Sequence, residues 1–359
     1  MFYHFLYPLH TVFSGFNVFR YITFRCVGAT VTAFLIVLLV GPTFIKYLKK
    51  LEIGQVIRAD GPQSHFSKQG VPTMGGVLII FALSMTTLLW VDLMNPHVWI
   101  ILIVTLWFAL IGGYDDYRKI KKQNSKGLSP KEKLLLQGAG ALTASWFIFK
   151  NPAINTEIVL PFFKNFSPDL GMFYMVFVIL VVVGASNAVN LTDGLDGLAS
   201  GPTVVTSAVY LVFSYLAGHA TLASYLQIPF VSGAGEIAIF CGAMVGASLG
   251  FLWFNTFPAQ IFMGDTGSLS LGAALGCVAV MTKQEILLVL VGGVFVMEAL
   301  SVILQVGFFK MSGGKRIFLM APFHHHYEKK GWTEPKVVVR FWIVSIILGL
   351  SALATLKLR

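Results

Sequence analysis

The stretch Asn187-Ala188-Val189-Asn190-Leu191-Thr192-Asp193-Gly194-Leu195-Asp196-Gly197-Leu198-Ala199 lies between two apolar runs of the chain. The first run covers Met172–Val183, and the second starts near Pro202. The polar stretch therefore lies where a hydrophobic segment leaves one side of a membrane and turns back. A turn in which each aspartate caps the next helix would account for one carboxylate. Two carboxylates beside Asn190 are costly at membrane depth unless they are used, so the stretch predicts a functional site.

The composition identifies the class of protein. The chain has 359 residues, of which 56% are hydrophobic and only 12% are charged. A soluble domain carries about 25% charged residues, so the composition predicts an all-α polytopic membrane protein. We expect residues 1–359 to form a single integral-membrane domain. The three cysteines all lie inside apolar runs, and their spacing fits neither a disulfide framework nor a zinc motif.

Ten apolar stretches are close to the length of about 17–25 residues that a membrane-spanning helix needs. They are Tyr21–Ile45, Met74–Val91, His97–Tyr114, Leu134–Phe149, Met172–Asn190, Gly201–Ala217, Ile237–Phe254, Phe262–Met281, Ile286–Val306 and Val337–Leu356. In the ninth stretch, the pair Gly292-Gly293 and the charged Glu298 predict a helix that is bent or partly lines a cavity.

The basic residues predict the orientation in the membrane. Three long connections on one side, 41–73, 115–133 and 307–340, hold 19 of the 26 lysines and arginines. Positive charge accumulates on the cytoplasmic side of membrane proteins, so this side is predicted to be cytoplasmic. With ten spans, both termini are then on the opposite side of the membrane.

Every unusual polar cluster falls on this predicted cytoplasmic side. The clusters are Ser67–Gly76, Asp115-Asp116, Asn187–Gly197, Asn255, Gly264–Ser268 and His324–His326. They come from five different connections, so only a folded bundle can bring them together. The sequence therefore predicts one active site at the cytoplasmic face.

Asp115 and Asp116 are expected to end the third apolar helix. Two carboxylates at a helix C-terminus are unfavourable because the helix dipole is negative there. Arg118 and Lys119 could offset that charge, which is the structural explanation. A carboxylate pair that must hold Mg²⁺ or take a proton from a phosphate is the functional explanation, and the unfavourable position favours it.

The segment Phe262–Ser268 opens the eighth apolar helix. Asp265 is expected to cap that helix, and Gly264 and Gly267 would let a backbone approach a phosphate closely. The ring of Phe262 could stack on a base. Asn255, a few residues upstream, offers an amide donor and acceptor suited to the edge of a base.

Two further segments carry weaker signals. The glycine- and proline-rich segment Ser67–Gly76, with Lys68 and Thr73, could bind an anion at the start of a helix. An ordinary helix cap explains it equally well. The run His324-His325-His326 could suggest a metal site. Three consecutive residues of an irregular loop cannot easily aim three rings at one ion, so phosphate or sugar contacts are favoured.

Together these motifs resemble the polyprenyl-phosphate N-acetylhexosamine-1-phosphate transferase superfamily. The resemblance rests on Asp115-Asp116, Asn187–Ala199, Phe262–Ser268 and the loop His-His-His-Tyr-Glu, in the order of that superfamily. It covers nearly the whole chain. The triple-histidine loop is typical of the muramoyl-pentapeptide branch.

The resemblance implies the reaction, the cofactor and the partners. The expected reaction transfers phospho-MurNAc-pentapeptide from UDP-MurNAc-pentapeptide to undecaprenyl phosphate, giving lipid I and UMP, with Mg²⁺. This is the first membrane step of peptidoglycan biosynthesis, in the bacterial cytoplasmic membrane. The family also suggests a homodimer in the lipid bilayer, with no nucleic-acid partner. Phosphoryl transfer mainly requires positioning and neutralisation of charge, which suits a site of aspartates and lysines.

The resemblance also implies roles for individual residues. Asp265 would bind Mg²⁺, Asp115 would act on the lipid phosphate, and Asp116 would support the site. A nucleoside pocket would be formed by Asp193, Asp196, Asn190, Asn255, Phe262, Lys68 and Thr73. Phosphate or sugar would be contacted by Lys126, Lys133, His324 and His325, with His324 counted among the catalytic residues.

Two other functions stay open at the level of the sequence. A transporter would also place polar groups within a bundle, but it would have inverted repeats and interrupted helices near the midplane. Neither is apparent in the sequence, where the polar motifs lie at helix ends. A sister transferase that uses UDP-GlcNAc would keep the aspartates and differ in the histidine loop.

Overall fold

The computed structural model describes residues 1–51, 70–122, 127–161, 163 and 166–357. Two predicted substrate contacts, Lys68 and Lys126, lie outside these residues. The described chain is almost entirely helical and forms no β-strand in the described ranges; an isolated antiparallel bridge joins Glu157 and Asp169. The α-helices are α1 Phe2–Leu6, α2 Ile22–Lys50, α3 Gly76–Trp90, α4 Pro96–Lys121, α5 Pro130–Phe149, α6 Phe173–Thr192, α7 Ser200–Ala217, α8 Ala220–Leu226, α9 Ala234–Asn255, α10 Gly264–Met281, α11 Leu288–Val291, α12 Gly293–Met311, α13 Phe323–Lys329 and α14 Glu334–Ala354.

The predicted all-α membrane fold is confirmed. Each of the ten predicted apolar stretches coincides with a described helix or, in the ninth case, with a broken pair of helices. Eight described helices are long and apolar enough to cross a membrane, and α3 is apolar but shorter. Helix α5 begins with a charged turn before its apolar part. The count of ten spans stays a prediction.

Local sequence signals explain where several helices begin. Helix α4 starts with Pro96 after Asn95, whose side chain accepts a hydrogen bond from His97 N at 2.9 Å. Helix α5 starts with Pro130 after Ser129, which forms a reciprocal capping box with the side chain and backbone of Glu132. Proline suits the first turn of a helix because the N–H group that it lacks would be unpaired there.

The ninth apolar stretch, which was predicted to be bent or to line part of a cavity, is interrupted at its glycine pair. The short helix α11 ends at Val291, Gly292 leaves the helical conformation, and α12 begins at Gly293. Glycine tolerates such a break because it has no side chain to clash with the preceding turn. The break separates α12 from α11, and α12 then packs against α6, α13 and α14.

Helix α10 forms the centre of the bundle, where every residue from Thr266 to Met281 is buried. Glycines allow its neighbours to approach closely. A Cβ atom on Gly76 of α3 would lie 2.1 Å from Gly267 N, and one on Gly112 of α4 would lie 2.2 Å from Asp265 O. Small residues of this kind let helix backbones pack tightly in membranes. The close packing holds Asp265 against the C-terminal part of α4.

The directions of the helices bring the polar clusters to one end of the bundle. The C-terminal parts of α4, α6 and α9 meet the N-terminal ends of α3 and α10 there. The short helix α13 also reaches this end, because His324 lies against Gly194. The prediction that five separate connections converge in the folded bundle is therefore confirmed.

Candidate active site

Three carboxylates form the centre of the candidate site. Asp115 and Asp116 of α4 and Asp265 of α10 each present an oxygen, and these oxygens lie within 4.8 Å of one another. Asp115 and Asp116 are almost completely buried. Like charges at this distance repel strongly when water is largely excluded, so the cluster requires cations nearby. Carboxylate oxygens are also the ligands that Mg²⁺ prefers, so the group could hold a metal ion.

Asp116 connects the two helices that carry the cluster. Its Oδ1 accepts a hydrogen bond from Asp265 N at 3.2 Å. Its Oδ2 accepts from Thr266 N at 3.0 Å and from Thr266 Oγ1 at 2.8 Å. These N–H groups belong to the first turn of α10, where the helix dipole favours a negative charge. A side chain of α4 therefore caps α10.

Two expectations about these helix ends were wrong. Asp265 does not cap α10, because it lies inside the first turn and Asp116 takes the capping position. Asp115 and Asp116 do not end α4, which continues to Lys121. The extra turn places Lys119 one turn beyond both aspartates, on the face that the carboxylates occupy.

Two lysines balance part of the negative charge. Lys119 Nζ lies 2.6 Å from Asp115 Oδ2 and 3.1 Å from Asp265 Oδ2, and it lies 3.9 Å from Asp116 Oδ1. Lys133 Nζ of α5 lies 2.6 Å from Asp265 Oδ2. Lys133 was predicted to face phosphate or sugar, whereas Lys119 was considered only as a counter-charge. Its position three and four residues after the aspartates on a helix was the signal for a site residue.

Asn190 and the backbone around residue 128 complete the cluster. Asn190 Nδ2 donates to Asp265 Oδ1 at 2.9 Å and to Ser268 Oγ at 2.8 Å. Leu128 N donates to Asp115 Oδ1 at 2.7 Å. Each of the three carboxylates thus accepts hydrogen bonds from a different part of the chain. The structure brings the predicted residue Asn190 directly to the predicted metal ligand.

The turn after α6 carries Asp193 and Asp196 beside the carboxylate cluster. Burial, which is the largest cause, and the nearby carboxylates of Asp265, Asp116 and Asp196 together raise the pKa of Asp193 to about 8. Asp193 is therefore a carboxyl group that keeps its proton near neutral pH in the free protein. A protonated carboxyl can donate a hydrogen bond as well as accept one.

Asp196 and Asn255 connect the turn to the segment after α9. Asp196 Oδ2 accepts from Ala259 N at 2.9 Å. Asn255 Oδ1 accepts from Gly197 N at 3.1 Å and from Ser200 Oγ at 3.0 Å, while its Nδ2 donates to Ile261 O at 2.9 Å. Asn255 is buried, and its amide is engaged inside the protein. This geometry makes Asn255 a support for the turn, and direct contact of its amide with a base stays a prediction.

Thr73 and Phe262 lie where the entry to α3 meets the entry to α10. Phe262 N donates to Pro72 O at 2.8 Å, and Gly75 N donates to Phe262 O at 2.8 Å. The left-handed Gly264 (φ 72°) follows. A Cβ atom there would lie 2.7 Å from Asp116 Oδ2 and 3.1 Å from Thr73 Oγ1. Thr73 Oγ1 is therefore adjacent to the carboxylate cluster, and Phe262 lies two residues before Gly264 in the chain.

The three consecutive histidines lie on the short helix α13, and the expectation of an irregular loop was wrong. Their rings have three different partners. His324 Nδ1 lies 3.1 Å from Glu298 Oε2, and His325 Nδ1 lies 2.6 Å from Glu328 Oε2. His326 Nδ1 accepts from Leu319 N at 3.1 Å. Successive residues of a helix point in different directions, so these contacts diverge.

Glu298 is the second residue whose place in the site was not predicted. Its charge was noted in the sequence as a sign of a bent helix or a cavity. A single carboxylate inside an otherwise apolar run was itself the signal for a functional contact.

Comparison with known proteins agrees with this site and fold. The family model for glycosyl transferase family 4 matches residues 98–283, and a phospho-N-acetylmuramoyl-pentapeptide-transferase signature matches residues 68–80. The chain belongs to glycosyl transferase family 4.

Within that family, the chain is similar over its full length to proteins named phospho-N-acetylmuramoyl-pentapeptide-transferase. It is 67% identical over 359 residues to the protein of Desulfotalea psychrophila, and the match covers 100% of both chains. The proteins of Syntrophus aciditrophicus and Pelobacter propionicus are 61% and 58% identical, again over 100% of both chains. The resemblance that the motifs indicated is thereby confirmed.

Proposed function

We propose that this protein transfers phospho-MurNAc-pentapeptide from UDP-MurNAc-pentapeptide to undecaprenyl phosphate, forming lipid I and UMP. The observation that supports this most is the buried cluster of Asp115, Asp116 and Asp265 with Lys119 and Lys133 at one end of an apolar helix bundle. Such a site can bind phosphate groups and lies where a lipid and a soluble nucleotide can meet. The full-length similarity to named transferases supports the choice of substrates.

The carboxylate cluster fits a magnesium ion by its chemistry. Three carboxylates face two lysines, so the cluster retains an excess of negative charge. Asp265 would hold the ion beside Asp115, and both oxygens of Asp116 accept hydrogen bonds from α10. When bound, Mg²⁺ would neutralise charge on the diphosphate.

The remaining residues bind and orient the substrates in this proposal. Lys133 and Lys119 attract the phosphate groups, and Asp115 acts on the phosphate of the lipid acceptor. The nucleoside lies among Asn190, Asp193, Asp196, Asn255, Phe262 and Thr73, with Lys68 contributing from the segment that the signature covers. His324 and His325 contact the sugar or phosphate, together with Lys126.

The membrane arrangement is part of the same proposal. The single domain 1–359 would cross the bacterial cytoplasmic membrane ten times, with both termini periplasmic and the site at the cytoplasmic face. The excess of lysine and arginine in connections at this end supports that orientation. A homodimer in the bilayer is proposed from the resemblance alone.

Release of UMP tests the function directly. Purified protein would be incubated with undecaprenyl phosphate, Mg²⁺ and either UDP-MurNAc-pentapeptide or UDP-GlcNAc. We expect UMP only with UDP-MurNAc-pentapeptide and only when the lipid is present. Release from UDP-GlcNAc would support the sister transferase instead. No release from either nucleotide, together with uptake of a labelled solute into proteoliposomes, would support a transporter.

Isotope exchange tests how the phosphate is transferred. We propose that the lipid phosphate attacks directly, because it is already an oxyanion nucleophile and a carboxylate intermediate would only add a step. Asp115→Asn should then lower turnover, and wild-type protein stripped of lipid should not exchange labelled UMP into UDP-MurNAc-pentapeptide. Exchange at a rate comparable to turnover, lost in Asp115→Asn, would instead identify an aspartate nucleophile.

A further inference from the structure

Glu298 is a buried carboxylate that was not among the predicted site residues. It lies on α12 within an apolar run, and its side chain is completely buried. Its carboxylate faces His324, with Oε2 lying 3.1 Å from Nδ1 and Oε1 accepting from the backbone N at 3.1 Å. A buried carboxylate is costly unless it is paired or bonded. Here both contacts go to one residue of the candidate site.

The other ring nitrogen of His324, Nε2, points to the turn after α6 that carries Asp193 and Asp196. His324 Nε2 is buried and has no hydrogen-bond partner among the described residues. A Cβ atom on Gly194 would lie 2.4 Å from it. Gly194 lies directly after Asp193, so Nε2 lies against the turn that carries both aspartates. An unpaired buried nitrogen costs free energy in the free protein, and a ligand that bonds to it removes that cost.

The two neighbouring histidines have other partners than the Glu298 carboxylate that contacts His324. His325 pairs with Glu328, which lies on the same short helix. His326 stacks on Phe323 with ring planes 5° apart. His324 is held by a carboxylate from a distant helix, 26 residues away in the chain. The contact therefore sets the position of His324 relative to α12.

We propose that Glu298 is a positioning residue for the transferase reaction, accepting the Nδ1–H of His324 and thereby reserving Nε2 for the nucleotide-sugar substrate. A histidine whose Nδ1–H is bound to a carboxylate has one ring orientation, and its other nitrogen faces the substrate in both the neutral and the protonated state. Carboxylates that orient histidines in this way around metal sites change affinity or activity by about 10–100-fold when removed. The role rests on the function proposed above.

Two substitutions of Glu298 distinguish a role in orienting the His324 ring from a role in the stability of the fold. Glu298→Gln keeps an acceptor oxygen of the same length, and Glu298→Met removes the acceptor while filling a similar volume. We expect Glu298→Met to lower kcat by about 10–100-fold. Glu298→Gln should recover most of that loss. The KM for undecaprenyl phosphate should stay unchanged in both variants, because the lipid phosphate binds at Asp115 and not at His324.

A double-mutant cycle tests whether Glu298 acts through His324. In a His324→Gln background, Glu298→Met should cause no further loss of turnover, because the group that Glu298 positions is already gone. An equal loss in both backgrounds would overturn the proposal and show a structural role. Wild-type turnover in Glu298→Met would overturn it as well.

A spectroscopic measurement tests the contact without any turnover. ¹⁵N NMR of protein labelled at its eight histidines can identify the His324 signal as the one missing in His324→Gln. We expect a protonated Nδ1 in the wild type and in Glu298→Gln, and a changed Nδ1 signal in Glu298→Met. Glu328→Met, which removes the carboxylate beside His325, should leave this signal unchanged. An unchanged signal in Glu298→Met would overturn the proposal, whereas absent UMP release by the wild type would overturn only the function on which it rests.

Discussion

Buried charges occur at both ends of the helix bundle, but they are organised differently. At the end opposite the site, Arg25 forms two hydrogen bonds to Glu236, at 2.8 and 2.6 Å. Lys283 pairs with Glu285 at 3.2 Å, and both side chains are buried. Each positive charge there has one negative partner. At the candidate site, three carboxylates share two lysines, and Asp193 and Asp196 lie beside them.

The difference distinguishes a structural pair from a binding site. A matched pair neutralises its own charge and needs no counter-charge from outside the protein. Glu236 Oε2, for example, also accepts from Asp92 N at 2.7 Å. A cluster with excess charge of one sign is stabilised when a ligand of the opposite sign binds. The site end is therefore the end where a cation and charged substrates would change the stability of the protein.

The largest effect is expected from Asp265→Asn. The change removes a proposed metal ligand and should lower turnover by about 10²–10³-fold or more, a range typical for loss of a group that stabilises developing charge. Binding of Mn²⁺, followed by electron paramagnetic resonance, should weaken in parallel. Asp169→Asn, at an exposed aspartate of the other end, should leave both unchanged. Near-normal turnover of Asp265→Asn at limiting Mg²⁺ would contradict the assignment.

Breaking the pair of Arg25 and Glu236 should lower the stability of the protein and leave its turnover unchanged. Glu236→Gln leaves the Arg25 guanidinium buried without a counter-charge, which costs roughly 3–5 kcal/mol in known cases. We expect a clearly lower melting temperature in detergent and an unchanged kcat of the protein that remains folded. Replacing Arg25 by Met in the same protein should restore part of the stability. A selective loss of kcat would show that the two ends are not independent.

A smaller effect is expected at Phe262. Phe262→Ala should weaken nucleotide binding by about 1–3 kcal/mol, the range for base–aromatic stacking. Phe262→Leu is the matched control, because it keeps apolar packing and loses only the aromatic face. Calorimetry with UMP should show weaker binding for both variants. Unchanged affinity together with a lower melting temperature would mean that the ring only packs against α10.

A further prediction concerns the pH dependence of stability through Asp193. Its pKa is raised from 3.8 to about 8 in the folded protein, so the unfolded chain loses this proton at lower pH than the folded protein does. Stability from this group is therefore complete below about pH 4 and falls as the pH rises towards 8.

Asp193→Asn has no carboxyl group to titrate at this position, so it does not lose this stability as the pH rises. Its melting temperature should therefore rise relative to the wild type as the pH increases from 4 to 8. Asp169→Asn should show no such trend between pH 5 and 8, because the pKa of Asp169 is lowered by hydrogen bonds from Thr156 and Gly171. A constant difference between Asp193→Asn and the wild type would contradict the raised pKa of Asp193.

Much of the fold and the chemistry of the site could be predicted from the sequence. Apolar runs of spanning length determine helices, because the backbone must satisfy its own hydrogen bonds in lipid. The pair Gly292-Gly293, with Glu298, predicted a bent or cavity-lining helix, and the structure interrupts the helix at Gly292. Carboxylates at the ends of apolar runs indicated which residues meet, and Asp115, Asp116, Asn190 and Asp265 do meet.

Only the tertiary structure decided which partner each polar group takes. Asp116 caps α10 because Gly112 lets α4 approach Asp265 closely, and no local pattern encodes that approach. Glu298 of α12 reaches His324 of α13 although the two residues are 26 positions apart in the chain. The helices follow from local hydrophobicity and backbone hydrogen bonding, whereas the contacts of the site depend on packing between helices that are distant in the chain.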